Sequence, residues 1–156
     1  MKQTTLCLLF REGEILLAMK KRGFGVGRWN GTGGKFDPNV DKDILDAAIR
    51  ETKEEIGVEI KNPEKVGLFH FKFVNKEDWN QDVSLFVAKE WLGDPVESEE
   101  MMPKWFSINE IPYESMWPDD IHWVPHILKG RKVEADFLFG EGDKILDYNV
   151  KIVESI

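Results

Sequence analysis

Three glutamates, Glu51, Glu54 and Glu55, stand in a segment whose apolar residues recur at helical spacing. On a helix Glu51 and Glu55 are neighbours one turn apart, and Glu54 lies three residues from Glu51. Like charges so placed cost an isolated helix about 0.2–0.5 kcal/mol per pair, part of which Arg50 and Lys53 offset. A divalent cation turns that repulsion into a binding site, because Mg²⁺ takes oxygen ligands from one or two carboxylates together with substrate phosphates. The same residue types also suit a solvated helix, so the triad gains meaning from its surroundings. From Met19 to Lys35 the chain carries Lys20, Lys21, Arg22, Arg28 and Lys35 and no acid, within a protein of net charge −8. A basic, glycine-rich stretch in an acidic chain suits a small polyanion, or is a solvated hairpin. The net charge argues against an extended nucleic-acid surface, which needs clustered cations.

A second group has the chemistry to recognise a purine. Trp117 can stack on a base, and Asn30 offers both a donor and an acceptor. If the adjacent Asp119 and Asp120 are both buried, one stays protonated, because desolvation and a like charge each raise a carboxyl pKa. Such a pair donates and accepts at once. The simpler reading is that one aspartate caps the helix that follows and Trp117-Pro118 fills the core. His122 and His126 have the spacing of a metal site, but with no acid or thiol assigned beside them they read as structural or surface residues. Cys7, the only cysteine, reads as a small buried hydrophobe and permits no intrachain disulfide.

The elements that must position these residues are legible from periodicity and punctuation. Residues 4–10 and 15–19 read as a hairpin closed around Gly13. Residues 29–34 (Trp-Asn-Gly-Thr-Gly-Gly) are too rich in glycine for a self-supporting strand and suggest a close approach of backbone. The clearest helix is Ile44–Ile56, with Asp43 as N-cap and Gly57 as a left-handed stop. Strands follow at 66–74, with Phe69, Phe71 and Phe73 on one face, at 83–91 and, shorter, at 104–108. A second helix runs from Asp119 or Asp120 to Leu128, limited or kinked by Pro125. A hairpin of 133–139 and 145–153 turns at 140–143. Two helices among many strands predict an α+β sandwich. With 156 residues, 42% apolar and 32% charged, the chain suits one domain with one sizeable core. The apolar run 6–10 is too short to span a membrane and lacks a signal-peptide layout, so the expectation is a soluble, cytoplasmic protein.

Gly34-Lys35 followed by Arg50-Glu51-Thr52-Lys53-Glu54-Glu55-Ile56-Gly57-Val58 resembles the Nudix box, G-x5-E-x7-R-E-U-x-E-E-x-G-U with U apolar. The second half matches, with Thr52 at a usually bulkier apolar position. The first half departs: the stretch from Gly34 to Arg50 is two residues longer than the family spacing, and Lys42 stands where the first glutamate belongs. Asp41 or Asp43 could compensate, and spacing does not choose between them.

The resemblance implies an α/β/α sandwich and a Mg²⁺-dependent hydrolase, with Mn²⁺ a possible substitute. It assigns Glu51, Glu54 and Glu55 to metal binding and catalysis, with Glu100 as a further acid. It adds a carbonyl of Gly33 or Gly34 as a metal ligand, and gives Arg50 the task of orienting a catalytic glutamate. Residues 19–25, 28–31, 95–98, 100–101, 116–120 and 145–148 extend the likeness, in collinear order, to the family's animal branch acting on oxidised purine nucleoside triphosphates. That branch implies hydrolysis of 8-oxo-dGTP or 2-oxo-dATP to monophosphate and pyrophosphate by a monomer, with no nucleic-acid or membrane partner. It also implies a base pocket of Thr5, Lys20, Phe24, Asn30, Phe71, Phe73, Trp117, Asp119, Asp120 and Trp123. Gln81 is a polar amide where a methionine against the base is expected. Competing readings are a family member for another nucleotide (O6-methyl-dGTP, ADP-ribose or a dinucleoside polyphosphate) and a nucleotide-binding module without turnover.

Overall fold

A computed structural model describes residues 1–156 as an α+β fold built on one mixed sheet. The strands are β1 (Lys2–Arg11), β2 (Glu14–Lys20), β3 (Trp29–Asn30), β4 (Glu59–Lys61), β5 (Glu64–Phe73), β6 (Gln81–Ala88), β7 (Glu90–Leu92), β8 (Met101–Ser107), β9 (Lys132–Phe139) and β10 (Ile145–Val153). Two helices, α1 (Ile44–Ile56) and α2 (Asp120–Leu128), complete it. The main sheet runs β10-β9-β5-β6-β1-β2-β3, and β8 pairs with the other edge of β2. β1 with β6 and β5 with β9 are parallel pairs, and the remaining pairs of this sheet are antiparallel. β4 and β7 form a separate ribbon.

The alternation of side chains along β1 divides the core. Leu6 and Leu8 join Phe69, Leu85, Trp123, Val124 and Phe137 on the α2 face, while Cys7 and Leu9 join Ala48, Ile56 and Phe86 under α1. Both faces are apolar because each carries a helix. α1 starts where Asp43 Oδ1 accepts the Asp46 N–H at 2.9 Å and ends on Gly57 at φ +75°.

Several expected boundaries shift. The strand expected over 83–91 breaks after Ala88, and its end becomes β7, paired with β4. The strand expected at 104–108 begins at Met101, because it pairs with β2 along its whole length. The glycine-rich segment is a wedge. Trp29 and Asn30 pair with β2, and the chain then crosses to β1, where Thr32 and Cys7 exchange backbone bonds of 2.6 and 3.0 Å. The Thr5 N–H reaches the Gly34 carbonyl at 2.8 Å. A Cβ on Gly31 would collide with the Cys7 carbonyl, and one on Gly33 would overlap that of Thr5. Only glycine lets three backbones meet there.

Candidate active site

α1 delivers the glutamates against this wedge. Glu55 is almost fully buried, and one carboxylate oxygen accepts the Gly33 N–H at 3.3 Å. Burial is the main force raising its pKa to about 8; the Gly33 bond and Lys20 oppose the rise, and the charges of Glu51 and Glu100 add to it. Glu51 is raised too, first by burial and then by Glu54 and Glu100, against the pull of Arg50. Gly34 fits closely on this side, since a Cβ there would meet the Glu51 carboxylate and displace it.

Arg50 holds the group together. Its Nε and Nη2 donate to the two carboxylate oxygens of Asp41 at 2.8 Å each, and Nη1 donates to Glu51 at 2.9 Å and Glu54 at 3.3 Å. A further bond runs from Nη2 to the Lys35 carbonyl at 3.2 Å. Asp41 is buried and its pKa is lowered, chiefly by the Arg50 bond. Arg50's own pKa is raised, first by Asp41. The structure thereby chooses between the two aspartates left open by the sequence: Asp43 caps α1, and Asp41 takes the ion pair.

Glu100 is exposed, on the loop before β8, where Arg22 Nη2 lies 3.4 Å from it. No three acidic or histidine side chains converge into a ready-made cage in this conformation. The donor set nevertheless fits a divalent cation. A carboxylate pushed up by burial, and further by like charges, is relieved by a cation, and the wedge at Gly33–Gly34 brings bare backbone beside Glu51 and Glu55.

Gly33 also lines a cavity of about 400 Å³ that extends from the wedge toward α2. Thr5, Lys20, Phe24, Asn30, Phe71, Phe73, Gln81, Trp117, Asp119 and Asp120 all contribute to its lining, as do Gly33 and Gly34. Trp117 packs against Phe24 with ring centres 5.1 Å apart and planes inclined by 30°. The Gln81 amide is already engaged, accepting from Thr4 Oγ1 at 3.0 Å and donating to the Trp79 carbonyl at 3.1 Å. Trp123 lies elsewhere than expected. It is 1% exposed in the α2-face core, behind the cavity, and its indole N–H donates to Asp119 Oδ2 at 2.8 Å. Its rigid place in the core orients Asp119.

Asp119 and Asp120 are each 2% exposed. Asp119 caps nothing; its side chain makes no bond to the helix backbone. Burial raises the Asp119 pKa to about 6. It raises Asp120 well above the usual carboxylate range, with the charge of Asp119 adding to the effect. Burial and their mutual charge thus favour a proton on the pair, on Asp120 first, and Asp120 Oδ2 has no hydrogen-bond partner in the protein. A buried polar pair left half-satisfied in a cavity wall is poised for a ligand with both a donor and an acceptor.

Several lining residues were not singled out from the sequence: Lys2, Arg28, Trp79, Val83 and Phe139. Arg28 enters the sequence reading as part of a basic stretch and of the 28–31 likeness, with no role assigned to it. Trp79 sits on a 3₁₀ turn whose rings meet Phe24 at 4.9 Å and Phe73 at 5.6 Å, a contact no local pattern announces. The two remaining histidines stay apart, His122 stacked 4.2 Å from Tyr148 and His126 3.2 Å from Arg131.

The NUDIX domain family description matches residues 2–127. The chain is 44% identical over 151 residues to the oxidized purine nucleoside triphosphate hydrolase of Mus musculus, covering 97% of this chain and 95% of that one. It is 41% identical to the protein of that name from Danio rerio, covering 99% and 97%. Among solved structures, the MutT protein of Bacillus halodurans superposes with a TM-score of 0.85 at 26% identity, covering 97% of this chain and 98% of that one. With the family match over most of its length and full-length likeness to these hydrolases, the chain belongs to the Nudix family of hydrolases.

Proposed function

We propose that the protein hydrolyses oxidised purine nucleoside triphosphates, such as 8-oxo-dGTP and 2-oxo-dATP, to monophosphate and pyrophosphate, with Mg²⁺ as the physiological metal and Mn²⁺ as a substitute. It acts in this reading as a single-domain monomer in the cytoplasm, on a small-molecule substrate. The observation that carries the reading is the buried Asp119–Asp120 pair in the wall of an aromatic cavity that reaches the glycine wedge, whose Gly33 N–H is bonded to Glu55 of α1. The names of the mouse and zebrafish relatives support it.

The base would lie among Trp117, Phe24 and Phe73, with its polar edge toward Asn30 and the aspartate pair. Asp120, protonated, donates; Asp119, ionised and held by Trp123, accepts. Lys20, between the cavity and Glu55, is placed to meet phosphate oxygens. Glu51, Glu54, Glu55 and Glu100, with a Gly33 or Gly34 carbonyl, would hold the metal. A bound divalent cation neutralises triphosphate charge and makes phosphorus more open to attack by water. The glutamates also position water or accept its proton, and Arg50 fixes the orientation of Glu51 while Asp41 fixes Arg50.

Two variants separate the parts. Glu55→Gln should lower turnover by about 10²–10⁴-fold with an unchanged circular dichroism spectrum. Asp119→Ala should lose its preference for oxidised over unmodified purines. An Asp119→Ala enzyme with the wild-type substrate profile would show that the base binds elsewhere.

A further inference from the structure

Arg28 ends the basic loop just before β3, and its guanidinium spans three parts of the fold. Its Cζ lies 4.2 Å from the centre of the Trp117 ring. Its Nη1 lies 3.2 Å from Asp143 Oδ2, in the turn between β9 and β10. That nitrogen is buried and makes no aligned hydrogen bond, so the attachment is one of charge and stacking. Asp143 itself sits at φ +62°, next to Gly142 at φ +69°, so the turn is held in a left-handed conformation that presents the carboxylate. Arg28 lines the cavity beside Asp119 and Asp120.

We infer that Arg28 is a positioning residue for base recognition: tied to Asp143, it fixes the Trp117 ring and supplies the cation that the Asp119–Asp120 pair faces. The inference rests on the reading of the cavity as the base pocket. Two physical effects support it. Stacking of a guanidinium on an indole face restricts the ring, and a planar fork does this better than an ammonium. The charge matters because few groups face the pair. The titratable ones around it are each other, Arg28, and the Tyr113 phenol from the turn before α2, whose pKa burial raises first and Asp120 second. Burial drives both aspartates up, and the charge of Arg28, which lines the same cavity, draws each back down. It thereby helps keep Asp119 ionised at neutral pH, which leaves the pair able to donate and accept together.

The linkage has a definite sign. If ligand binding needs ionised Asp119, affinity falls as pH drops through about 6. Removing the cation lets Asp119 take its proton at higher pH, so the loss begins earlier. The test is calorimetric binding of 8-oxo-dGMP without metal, from pH 5 to 9, by wild type, Arg28→Met, Arg28→Lys, Asp143→Asn and Asp119→Asn. The ligand's own ionisations are common to all five proteins.

The inference expects Arg28→Met to bind about tenfold more weakly at pH 7, with the acid limb moved up by about half a pH unit. Arg28→Lys should restore the limb but not the whole affinity, since it keeps the charge and loses the flat stack. Asp143→Asn, outside the cavity, should weaken binding in the same direction, and it carries the test if Arg28→Met does not fold. Wild-type affinity and limb in Arg28→Met would overturn the inference. Weaker binding with an unmoved limb would overturn its electrostatic half. Wild-type binding by Asp119→Asn, by contrast, would overturn the base pocket itself.

Discussion

Arg50 has five polar contacts to four residues, and only one of them, Asp41, is buried deeply enough to fix it. A two-pronged pair between a guanidinium and a buried carboxylate sets direction as well as energy. Removing one partner of such a pair leaves the other without compensation, so Asp41→Asn should cost about 2–3 kcal/mol in urea unfolding. It should also lower kcat more than it raises KM, because Glu51 loses its guide. Lys42→Glu, at the exposed position where the family pattern places its glutamate, should change neither by more than about twofold. A large rescue or loss in Lys42→Glu would show that the longer loop can place residue 42 against Arg50. The sequence left Asp41 and Asp43 as equals because an irregular loop has no period from which direction can be read. Glu51, Glu54 and Glu55 were legible for the opposite reason: a helix converts spacing into proximity.

The element that converts a charged helix into a site is the wedge of residues 31–34 between β1 and β2. Its glycines were readable as places where backbone comes close to something. What it comes close to, the carbonyls of Thr5 and Cys7 and the Glu51 carboxylate, depends on partners far away in sequence. Gly34→Ala tests this tight fit. The added methyl must displace the Glu51 carboxylate, and a shift of about 1 Å at a reacting centre costs roughly 10² in rate. The expected result is a fall of that size in kcat/KM with a retained circular dichroism spectrum; near-wild-type activity would mean that Glu51 does not need its observed place. The same limit explains Trp123. The family resemblance implied a pocket wall, yet α2 turns it into the core, and it reaches the cavity through Asp119.

At the scale of the whole molecule, the α1 face of the sheet carries a polar cluster beyond the apolar patch under the helix and away from the proposed chemistry. His70 on β5 bonds Asp82 on β6 at 2.7 Å and Glu134 on β9 at 3.3 Å, with Asp136 nearby and Gln3 on β1 bonding Asp82. The bond to Asp82 is the main cause of the raised His70 pKa. A raised histidine pKa stabilises the fold fully below the unfolded value of about 6.5, and the contribution fades as pH rises through the folded value. The stability difference between wild type and His70→Gln, read from urea midpoints, should therefore be larger at pH 6 than at pH 9. A difference independent of pH would remove the cluster from the stability of the sheet. The strands that form this face were legible one by one from alternation. Their order was not, because the parallel pairs β1 with β6 and β5 with β9 join segments separated by many residues.

The measurement that tests the central claim most directly is pyrophosphate release with Mg²⁺ from 8-oxo-dGTP, 2-oxo-dATP, O6-methyl-dGTP and dGTP, side by side. A site that pairs a buried aspartate couple with the glutamate helix predicts a kcat/KM for an oxidised purine at least about tenfold above that for dGTP, in keeping with one or two well-made polar contacts. Equal, slow release from all four, or binding without release, would contradict it.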